Sequence, residues 1–285
     1  MSNDENDERS ERDSYYAKRR RAYRDAKAAK APSHQGKGGS GARPVPDSVL
    51  LYGLHTVRAA IDNPERTIKR MVATRNALAR LGIDDPRSLP FPIEQTTPQA
   101  IDRMLSGDAI HQGAVIEAKP LAARPISDLG NCPLLLVLDQ VTDPHNVGAI
   151  MRSAVALGAG AIITTMRHSP QESGVLAKSA SGALELITHI QVVNLAEAIE
   201  ELNRLGFTTI GLDSEGSDKL EHTFSGDRLA LVLGAEGKGL RQKTRATVKI
   251  LARLDMPGAI KSLNVSNAAA ISLYAARTFL DARLS

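Results

Sequence analysis

With 285 residues, 42% of them hydrophobic and 24% charged, the chain can bury one or two sizeable cores, which excludes a collagen-like, wholly disordered or membrane-embedded protein. A single cysteine, Cys132, excludes an intrachain disulfide framework, and with no Cys/His cluster around it the expectation is a small buried hydrophobe, a reducing compartment and no metal. The formal net charge of +4 is carried wholly by residues 1–46, which hold 11 Lys/Arg against 7 Asp/Glu.

That first segment divides further. Residues 1–13 are acidic and too polar for the apolar stretch of a secretory signal. Residues 14–46 carry nine basic groups against Asp25 alone and run into Gly36-Lys37-Gly38-Gly39-Ser40-Gly41. Such a stretch has too little apolar surface to offset its ordering entropy and reads as a disordered basic arm. Each Lys or Arg placed on a phosphate releases condensed counterions, so the arm suits a polyanion, with a solubilising tail as the bland alternative. Deletion of residues 1–46 is expected to weaken affinity for such a polyanion and flatten its salt dependence.

After Pro44 and Pro46 the pattern becomes globular. The block opening at Leu51 carries Leu54, Val57, Arg58 and Ile61 at helical spacing and stops at Asn63-Pro64. Ile68–Thr74 is expected as a strand, Asn76–Leu81 as a helix stopped by Gly82, Pro98–Leu105 as a helix and Ala114–Ala118 as a closing strand. This predicts a small α/β domain over 47–120, with a linker over 121–131. From 132 to 285 the strands are continuous apolar runs, Leu134–Leu138, Ala161–Thr165, Thr208–Leu212 and Leu229–Leu233, the signature of a parallel sheet covered on both faces. Helical stripes intervene at Val147–Leu157, Leu195–Leu205 and Val265–Leu280. The most apolar window, Val147–Met166, contains Arg152 and three glycines and is not expected to span a bilayer.

In an open parallel sheet ligands bind beyond the carboxyl ends of the strands, so the loops there carry the information. The first reads DPHNVGAIMRSA. Asn146 occupies an expected N-cap position, and Arg152 projects away from the apolar stripe toward either solvent or a ligand. The second reads GAEGKGL, with Gly234, Gly237 and Gly239 around Glu236. Its glycine order matches neither the dinucleotide nor the ATP fingerprint. The third reads LDMPGAIKSLNVSNAAAISLY, where Ser262, Asn264 and Ser266 precede an Ala-rich helix and are equally well read as caps.

In that order the three segments resemble the motifs of the SpoU (TrmH-like) branch of the SPOUT RNA ribose methyltransferases. Upstream, LYGLHTVRAAI and His111-Gln112-Gly113 resemble the L30e-like RNA-binding domain of the RlmB type. The resemblance implies a trefoil knot in the C-terminal sheet domain, S-adenosylmethionine as cofactor, a homodimer in the cytoplasm, and the 2′-hydroxyl of a guanosine in large-subunit ribosomal RNA as substrate. No DNA or membrane partner is expected. It assigns Asn146, Arg152, Glu236, Ser262 and Asn264 to catalysis, and Gly234, Leu254, Met256 and Leu263 to the cofactor. A tRNA guanosine as substrate, or a non-catalytic RNA-binding or ribosome-assembly protein of the same fold, are the alternatives.

Overall fold

The computed structural model describes residues 46–105 and 109–283. The expected basic arm lies outside these residues except for Pro46. No described helix is long and apolar enough to cross a membrane.

Two sheets organise the described chain. The smaller consists of β1 (Val49–Tyr52), β2 (Ile68–Ala73), β3 (Ile93–Gln95) and β4 (Ala114–Ala118) in the order β1-β4-β2-β3. β4 runs antiparallel to β1 and β2, and β3 parallel to β2. The block that begins at Leu51 starts inside β1, and its residues at helical spacing, Leu54, Val57, Arg58 and Ile61, all lie in the helix that follows. The chain turns at Gly53, whose φ of 92° suits a residue without a Cβ, and helix Leu54–Asp62 follows. Val49, Leu51 and Tyr52 are buried, and β1, which is not among the elements expected from the sequence, is held by its pairing with β4. The His111-Gln112-Gly113 turn is held by a defined tautomer. His111 Nδ1 accepts the Gly113 N–H at 3.0 Å, which leaves Nε2 to donate to Asp102 at 2.9 Å.

The larger sheet contains β5 (Leu134–Asp139), β6 (Ala161–Thr165), β7 (Thr188–Val192), β8 (Thr208–Leu212), β9 (Asp218–Lys219), β10 (Leu229–Gly234) and β11 (Ile250–Arg253). Their order is β7-β6-β5-β10-β8-β11-β9, and every neighbouring pair is parallel. Leu134, Leu136, Leu138, Leu231 and Leu233 enter one core with Val147, Ile150 and Leu273. Leu135, Val137, Ala230 and Val232 face the other way, onto Leu195, Ile199 and Leu202. The period-two alternation of the strands thus feeds two cores, and each fully buried aliphatic side chain contributes about 1.5–3 kcal/mol.

The segment expected as a linker is ordered along the outer strand, where the Arg124 N–H donates to the His189 carbonyl at 3.3 Å and Ile126–Leu129 forms a 3-10 turn. On that strand His189 pairs with Thr164 Oγ1 at 2.9 Å, and burial pushes its pKa down to about 4. The unfolded chain therefore takes up this proton first. Stability should fall as pH drops from about 6.5 toward 4, and His189→Asn should flatten that part of a pH series of urea denaturations.

The two sheets meet at an ion cluster. Arg66, with its side chain fully buried, donates to Glu172 at 2.6 Å, to Glu185 at 2.5 Å and to the Lys119 carbonyl at 2.9 Å. Asn63 also donates to Glu185, at 2.7 Å, and the Leu121 N–H to Glu172, at 2.9 Å.

Candidate active site

Parallel strands leave all their carboxyl ends on one edge, and the three loops singled out in the sequence follow β5, β10 and β11 there. β5 and β10 are direct neighbours, with Gly234 in register with Asp139. At Gly234 the following loop doubles back. A Cβ would lie 2.1 Å from the Gly239 carbonyl carbon and 2.2 Å from its oxygen, so only glycine fits. The loop returns through Gly237 (φ 74°) and Gly239 (φ 62°), and space is open where their side chains would stand.

Asp139 clamps this arrangement and is absent from the sequence-derived set. It is fully buried, and it accepts from the Arg241 backbone N–H at 3.0 Å and from Arg241 Nε at 2.6 Å, fixing the end of the glycine loop to the end of β5. An aspartate closing the otherwise apolar run LLLVLD was the signal, because a carboxylate in that position needs a partner. Asp139→Ala should cost about 1–3 kcal/mol in urea denaturation, since it leaves the loop N–H unpaired.

Side chains of all three loops converge. Asn264 Nδ2 donates to Asn146 Oδ1 at 3.0 Å, and Glu236 accepts the Val265 N–H at 3.1 Å. Asn264 is the N-cap of helix Val265–Asp281, its Oδ1 taking the Ser266 N–H at 2.8 Å. A carboxylate and a carboxamide thereby satisfy the first backbone donors of that helix, and the same two residues tie its start to the other loops. Asn146 does not serve as the N-cap expected from the sequence. Asp143 caps helix Pro144–Ala156 by accepting the His145 N–H at 2.9 Å, and Pro144 fills the first helical position, where no N–H is needed. Asn146 is left free to make its bond to Asn264.

The other candidates are placed less tightly. Arg152 is exposed six residues beyond Asn146 on the same helix and forms no hydrogen bond or ion pair with any described residue. Ser262 is exposed on the irregular stretch 254–264. Along that stretch Leu254 packs on the core, Met256 is half-buried with its carbonyl accepting from Lys261 Nζ at 2.7 Å, and Leu263 is 40% exposed. Main chain without regular pairing along 254–264, the apolar side chains at 254, 256 and 263 and the open glycine loop put free backbone donors and acceptors beside apolar surface, a combination that fits an adenine ring. The residues present therefore suit S-adenosylmethionine.

Comparison with known proteins accords with this geometry. Residues 133–274 match the SpoU rRNA Methylase family model, and residues 50–123 match the model for RNA 2′-O ribose methyltransferase substrate binding. The 23S rRNA (guanosine-2′-O-)-methyltransferase RlmB of Vibrio vulnificus is 36% identical over 236 residues, covering 80% of this chain and 95% of that protein. The chain belongs to the SpoU family. The RlmB of Pasteurella multocida is 37% identical over 242 residues, with 79% and 95% covered. Among solved structures, the SpoU methyltransferase AviRb from Streptomyces viridochromogenes superposes with a TM-score of 0.71 at 22% identity, covering 83% of this chain and 91% of that one. AviRb in complex with the cofactor AdoMet gives 0.71 at 21%, with 84% and 91% covered. These structural matches support the SpoU fold, an α/β architecture built on a parallel sheet.

Proposed function

We propose that this SpoU protein transfers a methyl group from S-adenosylmethionine to the ribose 2′-hydroxyl of a guanosine in 23S ribosomal RNA. The observation that carries the reading is the convergence of Asn146, Glu236 and Asn264, far apart in sequence, on one edge of the sheet. The match to RlmB proteins along nearly their whole length favours ribosomal RNA over tRNA.

Bound S-adenosylmethionine supplies an electrophilic sulfonium methyl. Everything else falls to the chain. A ribose hydroxyl is a poor acid, so the site has to orient its oxygen and stabilise the charge that develops as the proton leaves. Arg152, a planar guanidinium without a described partner, is suited to grip a neighbouring phosphate and that developing charge. Asn146 and Asn264 hold one another and are positioned to orient the sugar. Glu236 spends one carboxylate oxygen on the Val265 N–H, which locks the glycine loop to the last helix, and its other oxygen is available to take the 2′-hydroxyl proton as the methyl passes from sulfur to oxygen. Main chain at Gly234, Leu254 and Leu263, with Met256 beside it, would hold the cofactor, and Ser262 would hydrogen-bond the substrate.

We read residues 47–120 as an L30e-like substrate-binding domain, 121–131 as its connection and 132–285 as the catalytic domain, with 1–46 as a basic arm. A return of the C-terminal segment from β11, near one sheet edge, to helix Val265–Asp281 over the sheet centre is the path a trefoil knot would take. Ile271 (49% exposed) and Tyr274 (66%) lie on the outer face of that helix and supply apolar surface for a homodimer. The cytoplasm is the compartment that fits such a substrate.

The test offers radiolabelled S-adenosylmethionine with transcripts of 23S ribosomal RNA and of tRNA. Alkali-resistant label at a guanosine of the ribosomal transcript is expected. Label on tRNA alone would move the substrate, and cofactor uptake without transfer to either RNA would favour the non-catalytic reading.

A further inference from the structure

Outside the converged loops, one cavity of about 410 Å³ opens beyond the ends of β6 and β7, between residues 120–123 and the loop 166–172. Its size falls within the range of small-molecule sites. Leu121, Met166, Pro170 and Val193 give it apolar walls, and Arg167 and Gln191 supply a guanidinium and an amide. Ser169 also lines it. That side chain is nine-tenths buried, and its hydroxyl has no hydrogen-bond partner among the described residues. A buried hydroxyl left unpaired is costly, and a ligand atom within reach of it would supply the missing partner.

We propose that this cavity receives an unpaired nucleobase of the RNA substrate, at a nucleotide near but distinct from the one that is methylated; this rests on the reading of the chain as an RNA methyltransferase. A flat heterocycle that presents donors and acceptors on its edge and apolar faces on either side matches walls of this composition. Position supports the same ligand. The cavity lies on the carboxyl edge of the sheet that also carries Asn146 and Glu236, and the β6/β7 pair is two strand spacings, about 10 Å, from the β5/β10 pair. One RNA strand can span both.

The chain has no tryptophan, which makes a site-specific probe available. Val193→Trp places one indole at the cavity rim, and Leu186→Trp places one at an exposed position that does not line it. Titration of the full-length protein with the 23S transcript is expected to quench the indole fluorescence of the Val193→Trp variant by base stacking and leave that of the Leu186→Trp variant unchanged. Adding Gln191→Leu and Ser169→Ala should raise the KM for RNA about fivefold, with kcat within about twofold, because neither residue touches the reacting atoms. Equal quenching at both positions, or none at 193 while methyl transfer proceeds, would overturn the cavity assignment and leave the enzymatic reading intact. Quenching at 193 that the double substitution abolishes, in a protein that transfers no methyl group, would retain the cavity and remove the enzyme.

Discussion

Replacing Arg152 with alanine is expected to lower methyl transfer to RNA by about 100- to 1000-fold, the usual cost of removing one preorganised charge-stabilising donor, and to change S-adenosylmethionine binding less than about twofold. The split follows from where the residue stands. Arg152 is exposed on helix Pro144–Ala156 and bonded to no described residue, while the candidate cofactor-holding backbone lies at Gly234 and along 254–263. At a rise of 1.5 Å per residue it is about 9 Å along the helix from Asn146, so its guanidinium is available to RNA and is not spent on holding the Asn146–Asn264 pair. Arg152→Lys should recover little if a planar two-point phosphate contact matters, because an ammonium presents a point charge. Single-turnover assays paired with calorimetric cofactor titration measure both quantities. An alanine variant with near-normal transfer would remove Arg152 from the machinery.

How much of this could be read in the sequence depended on whether burial or pairing dictated the local structure. LLLVL, AIITT, TTIGL and LALVL carry apolar residues on both faces, as strands of a covered parallel sheet do, and all four are strands of the larger sheet. β7 escaped notice because THIQV is half-polar, as suits an outer strand, and β11 because ILAR is four residues long with a cation at its end. Helix Gly174–Ala180 is short and built of small residues, so it carries no clear apolar stripe and is held by what packs on it. The glycine loop and the Asn264 cap were legible from residue type alone, since their chemistry is local. Asp139 paired with Arg241 and Arg66 paired with Glu172 and Glu185 were not, because each contact joins residues about one hundred or more positions apart.

The second large effect belongs to Arg66. Arg66→Ala should destabilise the protein by about 3–5 kcal/mol, because two carboxylates would remain buried without their cation. Glu185 is 1% and Glu172 11% exposed at the side chain, so water cannot replace the guanidinium. Even with Arg66 in place, burial pushes the Glu172 carboxyl above the usual range, with the arginine pulling the other way. Without it the Glu172 carboxyl should titrate higher still. A carboxyl whose folded pKa is raised destabilises the fold at neutral pH, and the penalty is relieved as pH falls through that raised value. The variant should therefore regain part of its lost stability as pH falls below neutral, opposite in sign to the loss expected from His189. Arg66→Met combined with Glu172→Gln and Glu185→Gln should restore most of the deficit at every pH, since a neutral cluster has no charge to strand. If the triple variant stays as unstable as Arg66→Ala, the contact between the two sheets is held by packing around Arg66, and the ion cluster contributes little.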